Sequence, residues 1–120
     1  MLDESIKWFE KATDDLKIAR DNYEIGHEGV SMFFCHQAVE KALKSLEIYQ
    51  RDERSLSHNL VAISRKIDVP DRFKETFADL NPFYTGFRYP DTEEPELENY
   101  SKILEKVGRF LEWTEKQLKK

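Results

Sequence analysis

The stretch CHQAVEKALK, residues 35–44, lies at the centre of the pattern that decides the fold. It belongs to a long helical pattern that runs from about Glu28 to Gln50. At 100° per residue, one side of this helix is predominantly apolar. That side carries Cys35, Ala38, Val39, Ala42, Leu46 and Tyr49. Since two of these residues are alanines, a neighbouring helix can approach closely, and we predict that this helix is the centre of a bundle.

The opposite side of the same helix is polar. It carries Gln37, Glu40, Lys41 and Lys44, with Ile48 as its one apolar member. The simplest interpretation is a solvated face, in which an i,i+4 pair between Glu40 and Lys44 contributes roughly 0.2–0.5 kcal/mol. The alternative is that these side chains bind a ligand outside the core.

Length and composition favour one small helical domain over residues 1–120. The chain has 120 residues, 39% of them apolar and 36% charged, which suits amphipathic helices with densely charged outer faces. Only four Gly and four Pro leave little material for a many-turned β fold. The net charge of −5 provides no general attraction to nucleic acid, so any phosphate site must be local.

Several classes of site and location are disfavoured. The single cysteine, Cys35, excludes an internal disulfide, and on an apolar face it is expected to be a buried, inert thiol. His27, His36 and His58 have no metal-ligand spacing, and no glycine-rich phosphate loop is present, so we predict no metal and no cofactor. No apolar run approaches the ~18 residues that span a bilayer, and the first residues do not resemble a signal peptide. We therefore expect a cytoplasmic protein without membrane attachment.

The rest of the chain predicts further helices. A first helix from Asp3 to about Tyr23 should stop at Gly26 and lie antiparallel to the second. Ser57 is a candidate cap for a third helix, and Pro70 a candidate first residue of a fourth. A last helix should run from near Pro95 almost to Lys120.

The proline and glycine residues in the stretch 81–96 predict a long loop, and this loop is unusually rich in aromatic residues. Long loops of this kind are packed against the protein or functional. Arg88 lies among these aromatics, where its guanidinium can bind a phosphate or simply pair with Asp91 or Glu40. The aromatics also exceed what one small core needs, which predicts a homodimer. They are Phe83, Tyr84, Phe87, Phe110 and Trp113.

Three motifs together resemble one known family. Residues 37–44 match the pattern Gln-Ala-x-Glu-Lys-x-x-Lys, Ser57-His58-Asn59-Leu60 precede the third helix, and Arg88-Tyr89-Pro90 precede the last. In this order they resemble the HEPN domains, small helical proteins of prokaryotes often encoded beside a minimal nucleotidyltransferase. The resemblance implies an up-and-down bundle of about five helices, a homodimer, and a nucleotidyltransferase partner.

The polar residues of these segments are the candidates for a site. The candidate ligand-binding residues are Gln37, Glu40, Lys41, Lys44, Tyr89 and Asp91. We expect this face to converge with His58 and Arg88, the two residues that could be catalytic. For His58 the alternative is a residue at a helix start that bonds local backbone.

One departure from the family bears on enzymatic activity. HEPN proteins that act as metal-independent ribonucleases carry Arg-x4-6-His near the start of the last helix, and no His follows Arg88 in this chain. Arg51 and His58 have a similar spacing, but they lie after the second helix, so we interpret that spacing as coincidence. Whether the chain is an enzyme stays open.

These observations favour a HEPN-domain protein that works with a nucleotidyltransferase. It would bind a nucleotide or nucleic-acid substrate, or act as the toxin half of a toxin–antitoxin pair. One alternative is a metal-independent ribonuclease in which His58 is the general acid/base and Arg88 stabilises the phosphate charge. The other is a non-catalytic helical adaptor.

Overall fold

The computed structural model describes residues 2–86, 97 and 99–120. Within this part of the chain there are α-helices, one 3₁₀ turn and no strand. The helices are α1 (Leu2–Glu24), α2 (Glu28–Arg51), α3 (Leu60–Ser64), α4 (Lys74–Leu80), α5 (Phe83–Gly86) and α6 (Tyr100–Leu118). The predicted all-helical bundle of about five helices is confirmed, with α5 as an additional single turn.

A tight turn joins α1 to α2 and makes them antiparallel neighbours. Gly26 has φ +85°, a left-handed conformation that glycine adopts without the steric cost of a Cβ. The backbone N–H groups of Gly26 and His27 donate to the carbonyls of Tyr23 (3.1 Å) and Asn22 (2.9 Å), which ends α1. The predicted stop at Gly26 is therefore confirmed.

The second helix is the centre of the molecule, and α1, α3, α4, α5 and α6 all pack against it. Ala38 and Ala42 are fully buried, so the neighbouring backbones approach α2 closely. Two side chains differ from the prediction. Ile48 is buried rather than displayed, and Tyr49 is 37% exposed, with its hydroxyl donating to the carbonyl of Lys120 (3.1 Å).

A connector, residues 52–59, leads from α2 to α3 and is tied back onto α2. The buried carboxylate of Glu47 accepts two hydrogen bonds of 2.7 Å, from the backbone N–H and the hydroxyl of Ser55. Asn59, not Ser57, caps α3 by accepting a hydrogen bond from the N–H of Ala62 (3.1 Å). The connector therefore covers part of α2, which brings its last residues over the polar side of that helix.

The remaining elements complete the core. Pro70 precedes the 3₁₀ turn Asp71–Phe73 rather than beginning a helix, and α6 begins at Tyr100 rather than near Pro95. Phe110 of α6 packs edge-on against Phe73 (5.1 Å between ring centroids) and Phe77 (5.0 Å). None of the helices in residues 2–86 and 99–120 has both the length and the hydropathy needed to cross a lipid bilayer.

Candidate functional site

The polar side of α2 is not a solvated face, which corrects the simplest interpretation of its sequence. Glu40 is 5% exposed and Lys44 is 3% exposed. The physical reason is that the connector and α1 pack over this side of α2, where His58 contacts Glu40 and the ring of Trp8 lies near Lys44. Two charged side chains in such a place must be paired, because an isolated buried charge loses several kcal/mol of hydration free energy.

Glu40 is the centre of the pairing. Its Oε2 accepts a hydrogen bond from the ammonium group of Lys44 at 2.9 Å. Its Oε1 and Oε2 lie 3.0 and 3.2 Å from Nδ1 of His58 on the connector. We name Glu40, Lys44 and His58 the carboxylate cluster. It joins two of the predicted ligand-binding residues with one predicted catalytic residue.

Two contacts fix the orientation of the His58 ring, one at its Nδ1 edge and one on its face. Since a carboxylate only accepts, Nδ1 must carry the hydrogen that it donates to Glu40. The ring also stacks on Tyr84 of α5, with 4.5 Å between centroids and 16° between planes. The side chain of His58 is 49% exposed, and Nε2 lies on the ring edge away from Glu40. The alternative of a His58 side chain that bonds only local backbone is wrong.

His36 lies one turn before Glu40 and holds the backbone of the connector. Its Nε2 lies 3.0 Å from the carbonyl oxygen of His58 and must donate to it. The side chain is fully buried, and burial lowers its pKa from 6.5 to about 4, although the nearby Glu40 opposes this shift. His36 is therefore neutral at pH 7. Its bare Nδ1, 3.9 Å from Oε1 of Glu40, has no hydrogen-bond partner in the described part of the chain.

The other predicted residues of α2 do not join the carboxylate cluster. Lys41 turns towards α1 and forms an ion pair with Asp15, and Gln37 is half-buried. Arg51 donates to the carbonyl of Lys66 (3.0 Å) and pairs with Glu53 (3.3 Å). Its partners differ from those of His58, so the structure gives no support to a shared function of these two residues.

Three predicted site residues, Arg88, Tyr89 and Asp91, lie outside the described residues, and so does Phe87. Their predicted roles stay predictions. In the part of the chain that is described, no three His, Cys, Asp or Glu side chains are grouped so that they could hold a metal ion. The thiol of Cys35 is fully buried, and burial raises its pKa to about 12, which makes it a poor nucleophile.

Sequence reasoning did not assign three side chains near the cluster to the site: His36, Tyr84 and Trp8. For His36 a signal was present, because it lies four residues before Glu40 and eight before Lys44, on the same face of α2. Tyr84 and Trp8 lie on α5 and α1, far from residues 36–58 in sequence, so no local sequence pattern connects them to the site. Tyr84 stacks on His58, and the ring of Trp8 on α1 has the ammonium group of Lys44 at 5.8 Å from its centroid.

Comparisons with known proteins agree on one family and one fold. The HEPN domain family matches residues 6–117. The chain is similar to the crystal structure of TT1696 from Thermus thermophilus, with TM-score 0.82, 24% identity, and coverage of 94% of this chain and 97% of that one. It is also similar to ST0689, an archaeal HEPN homologue, with TM-score 0.76, 24% identity, and coverage of 96% and 98%. No curated protein matches the chain.

Proposed function

The chain belongs to the HEPN domain family, and on that premise we propose that it binds the phosphate of a nucleotide or nucleic-acid substrate through His58, as the partner of a nucleotidyltransferase. The observation that carries this proposal is the hydrogen bond between His58 and the buried carboxylate of Glu40. That bond fixes the ring and leaves its other nitrogen at a half-exposed edge.

The electrostatics of the carboxylate cluster suit an anionic ligand. Lys44 forms an ion pair with Glu40, so the buried pair has no net charge that would repel an anion. A phosphate at Nε2 can share a proton with that nitrogen, while Glu40 at Nδ1 holds the ring in the orientation that this hydrogen bond needs.

A second cation lies close to the same surface. The exposed guanidinium of Arg54, on the connector, lies 5.2 Å from the centroid of Trp8, whose ring also contacts Lys44. Guanidinium groups bind phosphate oxygens in two-pronged geometry. In a chain of net charge −5, the exposed guanidinium of Arg54 provides a local positive charge for an anionic ligand.

The proposal includes a cytoplasmic complex of two copies of the chain with a nucleotidyltransferase, in which this chain holds the substrate or is the toxin that the enzyme controls. Of the five aromatics that predicted dimerisation, the four in the described part of the chain make contacts within it. Phe83 and Phe110 are buried, Trp113 packs on Phe110 and Tyr84 stacks on His58. Instead, Leu56 is 80% exposed two residues from His58, and such a side chain suits an interface.

Light scattering by the isolated chain should give about twice 14.3 kDa, and a monomer at micromolar concentration would contradict dimerisation.

Calorimetric titration with adenosine monophosphate, adenosine triphosphate and a short single-stranded RNA tests the binding proposal. We expect the His58→Ala variant to bind the best of these ligands roughly tenfold more weakly, or worse, because a hydrogen bond to a charged group is lost. His27→Ala is the matched control, since His27 is exposed and makes no side-chain cap to α2. Equal affinities for the wild type and His58→Ala would reject the site, and no binding by the wild type would reject the function.

The same hydrogen bond favours a second candidate, metal-independent cleavage of RNA. A histidine whose Nδ1 is held by a carboxylate has Nε2 ready to take a proton from an attacking hydroxyl. RNA degradation in the presence of EDTA that falls on the order of 10²-fold in His58→Ala would establish it. We expect no cleavage by the wild type, because the family's downstream ribonuclease histidine is missing from this sequence.

A further inference from the structure

A groove lies between the N-terminal part of α1 and the C-terminal end of α6, and no described residue that lines it belongs to the carboxylate cluster. Its volume is about 470 Å³, which falls within the ~300–1,000 Å³ range of ligand pockets. Both helices contribute apolar side chains to its lining, which are Ile6, Phe9 and Leu118. The groove therefore presents hydrophobic surface along the junction of two helices.

Ile6 is the apolar member of the groove that the bundle leaves most open. It is 40% exposed, whereas Leu118 is 8% exposed and Phe9 is half-buried against the core. A single exposed isoleucine is ordinary on a protein surface. Here, however, it borders a groove whose other apolar members lie deeper, so one apolar side chain of a partner can contact all three residues.

The polar edges of the groove are acidic. Glu10 and Asp14 on α1 and Glu115 on α6 are exposed carboxylates. Among the lining residues that the structure describes, Lys119 provides the one cation, and it lies 3.8 Å from Glu115 as an ion pair. The C-terminal end of α6 adds a partial negative charge. The edges are therefore net negative, and they attract a cationic ligand.

We propose that this groove docks a basic amphipathic helix of a partner protein, an inference that does not depend on the phosphate site. In this mode of recognition, apolar side chains on one face of the partner helix enter a hydrophobic groove. Glu10 and Asp14 are one helical turn apart, so they match Lys or Arg side chains spaced by four on the partner. A second copy of this chain suits the groove less well, because its net charge of −5 opposes the acidic edges.

Fluorescence anisotropy with labelled synthetic peptides tests this docking site. The probe is a short peptide of leucine and lysine whose leucines all lie on one helical face. The control peptide has the same composition in scrambled order, so that its leucines are spread over all faces. We expect the chain to bind the first peptide roughly tenfold more tightly, or better, because only that peptide can bury its leucines together.

Matched variants separate the groove from general attraction to an acidic chain. Glu10→Gln combined with Asp14→Asn should weaken binding of the amphipathic peptide roughly fivefold. Glu53→Gln combined with Glu105→Gln changes the net charge equally, at carboxylates that are also exposed, and should leave the affinity unchanged. Ile6→Ser should weaken binding as well.

Each outcome decides for or against the groove. Equal affinities for the two peptides, or equal losses in the two charge variants, would overturn the proposal. Failure to bind either peptide, with a dimer that Ile6→Ser dissociates, would assign the groove to a second copy instead. If Ile6→Ser does not fold, the backbone amide resonances of the wild type decide: those of Thr13 and Lys119 should shift on addition of the peptide, and that of Val61 on α3 should not.

Discussion

Replacing Glu40 by alanine should lower the free energy of unfolding by about 3–5 kcal/mol. The loss is large because the substitution leaves the ammonium group of Lys44, whose side chain is 4% exposed, buried without its partner. It also removes the acceptor for Nδ1 of His58. Urea denaturation followed by circular dichroism measures the difference directly.

The chain offers a matched control for this substitution. Glu105 and Arg109 form a pair with the same i,i+4 spacing on α6, but their side chains are 60% and 69% exposed. Glu105→Ala should therefore change the unfolding free energy by no more than about 0.5 kcal/mol. A double variant, Glu40→Met with Lys44→Met, should recover most of the loss, because it removes both buried charges together. Equal unfolding free energies for Glu40→Ala and Glu105→Ala would show that the carboxylate cluster is not buried and paired as the structure has it.

Stability should also fall steeply in mild acid because of His36. Burial lowers its pKa from 6.5 to about 4, so between these values the unfolded chain binds a proton that the folded chain does not. Stability then rises with pH through this window, is fully regained above about 6.5, and is lost as the pH falls towards 4. The contribution of this one residue to the loss at pH 4 should be about 3 kcal/mol.

The His36→Gln variant isolates this contribution from that of the titrating carboxylates. Glutamine can still donate to the carbonyl of His58, as His36 does at 3.0 Å, but it does not titrate. Unfolding free energies measured at pH 7 and pH 4 should therefore differ less for the variant than for the wild type. Identical pH dependences would show that His36 can be protonated in the folded protein.

The helices with clear apolar periodicity were predictable from sequence. The predicted first helix, Asp3 to about Tyr23, is observed as Leu2–Glu24, and the predicted second, Glu28 to Gln50, as Glu28–Arg51. Local signals were enough here, because Gly26 ends the first helix whatever packs around it. The start of α6 was placed too early, since Pro95 is permitted at a helix start but does not require one.

The character of the site was not predictable by the same reasoning. Periodicity places Glu40 and Lys44 together on one side of α2, but it does not reveal that residues 52–59 fold back over that side. The decisive contact, from Ser55 to Glu47, joins residues eight apart through an irregular segment. Trp8 is still further away in sequence, so its position beside Lys44 emerges only from the packing of α1 on α2.

Nuclear magnetic resonance of the histidine ring nitrogens can show whether His58 binds the phosphate, because it observes the atom that should touch the phosphate. In ¹⁵N-histidine-labelled protein, free His58 should appear as the tautomer with its hydrogen on Nδ1. Addition of adenosine monophosphate should shift the Nε2 resonance of His58, because a hydrogen bond then joins this nitrogen to the phosphate, while the resonances of His27 and the buried His36 stay unchanged. A His58 signal that does not move when the nucleotide binds would contradict the account.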